Sequence, residues 1–149
     1  MSEIAGKMRN ETVFQLKSML SEEIALIGAY EKTRKKLKQS GNSRFESVLQ
    51  IEDTHRKIAE RLIKEVRSRE AVLTTGPEHE LKLPLYKGKI ADTADELASL
   101  RSLKKAEERG IIACETAEYE QILDESSESV IATIVKKRKG IVSQLQGLV

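Results

Sequence analysis

Cysteine is almost missing from this chain: Cys114 is the only one in 149 residues. No intrachain disulfide can brace the fold, and a reducing compartment is expected. Tryptophan is absent, aromatic residues make up 3%, and there are two prolines. No stretch approaches the roughly 18 consecutive apolar residues of a membrane span. The opening residues, Met1 to Lys7, hold no apolar core of the kind a secretory signal needs. The expectation is a cytoplasmic protein with no membrane partner. An excess of one charge is lacking too, because 26 Lys and Arg face 24 Asp and Glu for a net +2. That footprint is too small for a dedicated nucleic-acid binder, so no nucleic-acid partner is expected. What the chain does have is 39% hydrophobic and 34% charged residues. Aliphatic, charged and poor in rings, it has the composition of helices with one apolar stripe. Its length suits a single domain, 1–149, around one core.

The breakers fall in few places. Pro77 and Pro84 share one segment with Gly76 and Gly88, and Gly41 sits in Ser40-Gly41-Asn42-Ser43. Between them the periodicity predicts four helices, over about 11–39, 43–70, 93–124 and 127–148. Ser43 with Glu46 forms a capping-box pattern, and Ser127 suits the cap of the fourth helix. The short joints imply antiparallel hairpins, the first helix on the second and the third on the fourth. The segment 71–92 is long enough to cross a whole bundle. The expected fold is all-α: a four-helix bundle of two antiparallel hairpins joined by a long crossover.

Each helix shows an apolar stripe. The first carries Val13, Leu16, Leu20, Ile24, Ile27, Tyr30 and Leu37; the second Phe45, Val48, Leu49, Ala59, Leu62, Ile63 and Val66. The third carries Leu97, Leu100, Leu103, Ile111, Cys114 and Ile122, and the fourth Ile131, Ile134, Ile141, Leu145 and Leu148. Ionisable residues interrupt all four near mid-helix. They are Glu23 in the first, Glu52 and His55 in the second, Glu107 in the third and Arg138 in the fourth. Buried carboxylates need a partner, a proton or a metal. Glu52-x-x-His55 offers an oxygen and a nitrogen from adjacent turns, and mixed oxygen and imidazole ligation suits iron or manganese. A Glu from each of two helices with Glu-x-x-His on the other two is the dinuclear carboxylate pattern.

The stretches Glu23-Ile24-Ala25-Leu26-Ile27-Gly28-Ala29-Tyr30 and Glu52-Asp53-Thr54-His55 resemble the first half of the ferritin-like superfamily, its rubrerythrin and bacterioferritin branches above all. The resemblance implies Glu23 as a terminal metal ligand, Glu52 as a bridging one, His55 as the imidazole ligand and Tyr30 as a core hydroxyl beside the site. It also implies, for any enzyme activity, an oxidoreductase acting on oxygen or peroxide. The second half departs from the pattern. Glu107 takes the third-helix position, with Glu108, Glu115 and Glu118 as alternatives, but the fourth helix has no histidine and offers Arg138. Three carboxylates against one guanidinium leave a formal −2, which one divalent ion neutralises. The expected site is therefore one iron or manganese ion on Glu23, Glu52, His55 and Glu107, with Arg138 replacing the second metal and no organic cofactor. The alternative is a metal-free structural or regulatory bundle that keeps a buried Glu/His/Arg cluster. Cys114 reads as a small core residue, His79 as a loop residue and Lys136 to Lys139 as a solvated face. Broad stripes suggest a homodimer, and the lack of Cys-x-x-Cys makes any electron donor a separate protein.

Overall fold

The computed structural model describes residues 2–73, 83–86, 88, 90, 95–119 and 125–149, with side chains omitted at 2–10, 70–73 and 118–119. Among them are four helices, α1 (Ser2–Gln39), α2 (Phe45–Leu73), α3 (Glu96–Tyr119) and α4 (Glu125–Leu148), and no strand. Helix α1 starts well before the expected residue 11. No proline lies between Ser2 and Glu11, and one interior glycine, Gly6, costs only about 1 kcal/mol. Its end is sharp. Gly41 takes φ of +69°, the Asn42 N–H reaches the Leu37 carbonyl (2.9 Å) and the Gly41 N–H the Lys38 carbonyl (3.1 Å). This paired closure needs a left-handed residue, which glycine supplies without strain.

Asn42, rather than Ser43, launches α2: its Oδ1 accepts the Arg44 N–H at 3.0 Å and its carbonyl the Phe45 N–H at 3.1 Å. Asp95 caps α3 by accepting the Leu97 N–H at 3.1 Å. Ser127 is no cap, since α4 already begins at Glu125 and Ser127 is buried within it. The expected boundary of the third helix at 93 and its end at 124 lie outside the described residues, as do Ile122 and His79.

Three contacts fix the ends. Ser40 Oγ and Asn42 Nδ2 donate to the Glu96 carboxylate at 2.5 and 2.7 Å, and Arg44 Nε donates to the Leu148 carbonyl at 2.6 Å. The α1–α2 turn, the start of α3 and the end of α4 therefore share one end of the bundle. Helix α2 runs away from that end, so the chain between α2 and α3 has to return along the molecule's length. Part of its course is seen along α1, where the Pro84 carbonyl accepts Ser21 Oγ at 2.7 Å. Helix α1 packs along α2 and α3 along α4, with α1 also against α3 and a lighter α2–α4 contact.

The core comes in two pieces. Leu16, Leu20, Leu62, Val66, Ile131 and Ile134 fill one half. Leu26, Leu37, Val48, Leu100, Ile141 and Leu145 fill the other. Burying each such side chain is worth roughly 1.5–3 kcal/mol. Two stripe assignments are corrected: Ile24 is 50% exposed and Leu97 36%. On α1 the inward line runs through Leu20, Glu23, Leu26 and Tyr30. Ile24 lies about 100° past Glu23 and so leaves the core.

Candidate ion cluster between the two cores

Between the apolar halves, all four helices send a polar side chain inward. Glu23 from α1, His55 from α2, Glu107 from α3 and Arg138 from α4 are each at most 1% exposed. Glu23 lies one turn from Leu20 and Leu26, and His55 one turn from Ile51 and Ile58, so the apolar line of each helix carries its polar residue inward.

The imidazole is the hub. Nδ1 of His55 bonds Glu23 Oε2, and Nε2 bonds Glu107 Oε1. The other Glu23 oxygen, Oε1, accepts from Arg138 Nη2 at 2.6 Å and Nε at 3.2 Å. Arg138 Nη1 turns to Glu22, which is only partly buried. Tyr30 donates its hydroxyl to Glu107 Oε1 at 2.9 Å. Its ring stacks on the imidazole with centroids 5.2 Å apart. One carboxylate oxygen, Glu107 Oε2, is buried with no hydrogen-bond partner.

The electrostatics follow from that contact pattern. Burial works against a charged His55, but its hydrogen bonds to Glu107 and Glu23 and their negative charges outweigh it, raising its pKa to about 9. Burial also opposes ionisation of Glu23. The hydrogen bond from His55 and the charges of His55 and Arg138 prevail, and its carboxyl sits below the ordinary range. Burial, then the Glu107 carboxylate, pushes the Tyr30 hydroxyl well above its usual value, so it stays a neutral donor. Burial would weaken the proton affinity of Arg138, yet Glu23 and Glu22 raise it. With both carboxylates ionised and both bases protonated, the four buried groups sum to zero.

Glu52 goes elsewhere. It is 2% exposed, but its Oε1 accepts from Arg34 Nε at 2.6 Å and its Oε2 from Arg56 Nη2 at 2.9 Å. Burial raises the cost of its charge, and the two guanidinium groups more than compensate, lowering its pKa. Of the four expected ligands, Glu23, His55 and Glu107 come together, with Tyr30 on Glu107 and Arg138 on Glu23. Glu52 pairs with arginines instead. Glu108 and Glu115 are exposed, and Glu118 lies outside the described side chains.

A metal fits this arrangement poorly. The two ring nitrogens of an imidazole point away from each other, so an ion on either one reaches Glu23 or Glu107 but not both. Among the described residues, no three His, Cys, Asp or Glu side chains are placed to hold one ion together. The orphaned Glu107 Oε2 is the one feature that invites a cation.

Sequence reasoning missed Gly110. A Cβ there would stand 1.7 Å from Arg138 Nη1 and 2.2 Å from Glu22 Oε1. The missing side chain is the niche through which the guanidinium reaches Glu22 and Glu23. A glycine inside a helix, one turn past Glu107, was the available signal. Arg34, Arg56 and Glu22 were missed as well; each is one of many charged residues on its helix, and nothing in the spacing marks it.

Compared with known proteins, the chain matches no family model, no curated protein and no solved structure.

Proposed function

We propose that this chain is a structural or regulatory bundle of ferritin-like design in which an ion cluster takes the place of metal. The carrying observation is His55, clamped through both ring nitrogens by Glu23 and Glu107 while Arg138 closes on Glu23. An imidazolium and a guanidinium neutralise the two carboxylates, so no external cation is required. The ferritin-like part of the proposal rests on the residues that meet at mid-bundle and on the shared end of the α1–α2 turn, the α3 start and the α4 terminus. In that frame Arg138 lies where the second Glu-x-x-His belongs, and Gly110 makes room for it. A guanidinium at a metal position removes the charge demand that would draw in an ion.

A second reading has one observation in its favour. The Glu107 carboxylate, with Oε1 on His55 Nε2 and Oε2 unpartnered, would suit a single iron or manganese ion. In it, Glu23 would orient the imidazole through Nδ1, as outer-shell carboxylates do at metal-bound histidines. Tyr30 would keep its hydrogen bond to Glu107 Oε1. A bound ion would add the redox and Lewis-acid chemistry of iron or manganese. The expected homodimer and separate electron donor belong to this reading.

Metal analysis after expression with iron and manganese supplied separates the two, combined with thermal unfolding with and without a chelator. The ion-cluster reading predicts far less than one metal per chain and an unchanged Tm. About one equivalent, with a Tm that falls on chelation and recovers on reloading, would establish the metal reading.

A further inference from the structure

A cavity of about 300 Å³ lies outside the cluster, between α1, Leu103 of α3 and the return segment. That volume is at the small end of the range for small-molecule sites. Its floor is Ala25, Gly28 and Ala29 on α1, and Tyr86 and Ile90 form a wall. The exposed half of Ile24 is part of its lip. Gly28 is informative here. A Cβ on it would meet nothing within 4 Å, so no packing contact demands a glycine that weakens the helix by about 1 kcal/mol relative to alanine. The effect of the glycine is to keep the floor low.

Two polar groups stand together on the next turn of α1. Thr33 is 4% exposed and lines the cavity. Helix-borne Thr54, Thr116 and Thr133 each donate to the carbonyl four residues back. Among the described residues, the Thr33 hydroxyl has no such bond and no other. Its oxygen is not one of the fully enclosed atoms that lack a partner, so it is reached from outside, and the space that Thr33 lines is the cavity. Lys32, also lining it, forms no ion pair with any described residue.

We infer that this cavity is a binding site for a small apolar carboxylate. The chain or ring of the ligand lies over Ala25, Gly28 and Ala29, and its carboxylate accepts hydrogen bonds from the Thr33 hydroxyl and the Lys32 ammonium. The apolar body is selected by the floor, and the head group by the only unpaired cation and the only unbonded threonine that line the space among the described residues.

Octanoate, with octanol as its uncharged counterpart, is the probe. Amide chemical-shift titrations of the whole protein read binding and location together. Octanoate is expected to shift α1 and return-segment amides around residues 25–33 and 86–90, and to bind at least tenfold more tightly than octanol. Lys32→Gln should remove that preference while leaving octanol binding unchanged. Gly28→Leu fills the floor from a position with free space, keeps the helix and should abolish binding of both. Absence of saturable octanoate shifts at these residues overturns the inference, as does unchanged binding to a folded Gly28→Leu protein. Equal affinity of the wild-type protein for octanoate and octanol also overturns it. None of these outcomes bears on the Glu23–His55–Glu107 cluster, which shares no residue with the cavity.

Discussion

Glu52 and His55 are three residues apart on one helix, yet they belong to different electrostatic worlds. Glu52 is held by Arg34 and Arg56, whose side chains are 19% and 47% exposed. Around His55, every partner except Glu22 is as buried as the imidazole itself. In the first layer water reaches the two guanidinium groups though not the carboxylate, and losing one arginine leaves the other on Glu52. In the second, nothing but protein balances the charges, so each member is needed by the rest. The difference shows that a sequence pair with metal-ligand spacing can be split by its neighbours. Two arginines within reach hold Glu52 away from the cluster, while the His55 ring is captured by two carboxylates.

The contrast can be broken most forcefully at Arg138. Replacing it with Met keeps the bulk and removes the charge, leaving Glu23 Oε1 and Glu22 without their guanidinium. Stability should fall by about 3–5 kcal/mol in urea unfolding. Adding Glu23→Gln to that variant should recover part of the loss, because the stranded charge goes with it. Simple additivity of the two would place Arg138 outside the cluster.

Raising pH probes the same layer without mutation. His55 has a folded pKa of about 9, above its unfolded 6.5. Its contribution is therefore full below pH 6.5 and is lost as the pH rises through 9. An unfolding midpoint that drops between pH 7 and 10, by an amount on the order of 2–4 kcal/mol, is expected. His55→Gln should flatten that slope.

Gly110→Ala is a subtler disturbance. The added methyl collides with the Arg138 guanidinium and should cost about 1–3 kcal/mol, although alanine is the better helix former. In the Arg138→Met background the guanidinium is gone and Glu22 is no longer drawn to it, so the same change should cost less. At Glu52, Arg34→Ala removes one partner of a buried carboxylate but leaves Arg56 in place, and should cost about 1–2 kcal/mol, less than the loss of Arg138.

Much of this was legible before any coordinates. Four helices, their breakers and the inward Glu23, His55, Glu107 and Arg138 all follow from a period near 3.6 and from charges that interrupt apolar stripes. Boundaries were less readable. Asn42 and Asp95 act through one hydrogen bond each, and several other residues nearby could have made an equivalent bond. Ile24 was misplaced because a stripe defined by its apolar members drifts toward any isoleucine beside it, whereas the true line passes through Glu23. The fate of Glu52 could not be read from its own helix. It depends on Arg34, eighteen residues earlier, and on how α1 and α2 pack. The Gly110 niche is likewise a property of α3 and α4 together.

The protonation of His55 tests the central claim most directly. Nitrogen-15 spectra of the imidazole, recorded from pH 6 to pH 10, report each ring nitrogen separately. The account predicts two protonated nitrogens at pH 7.5, both hydrogen-bonded, with a single titration near pH 9. A neutral ring at that pH, with one nitrogen bare or carrying a metal ion, would contradict it.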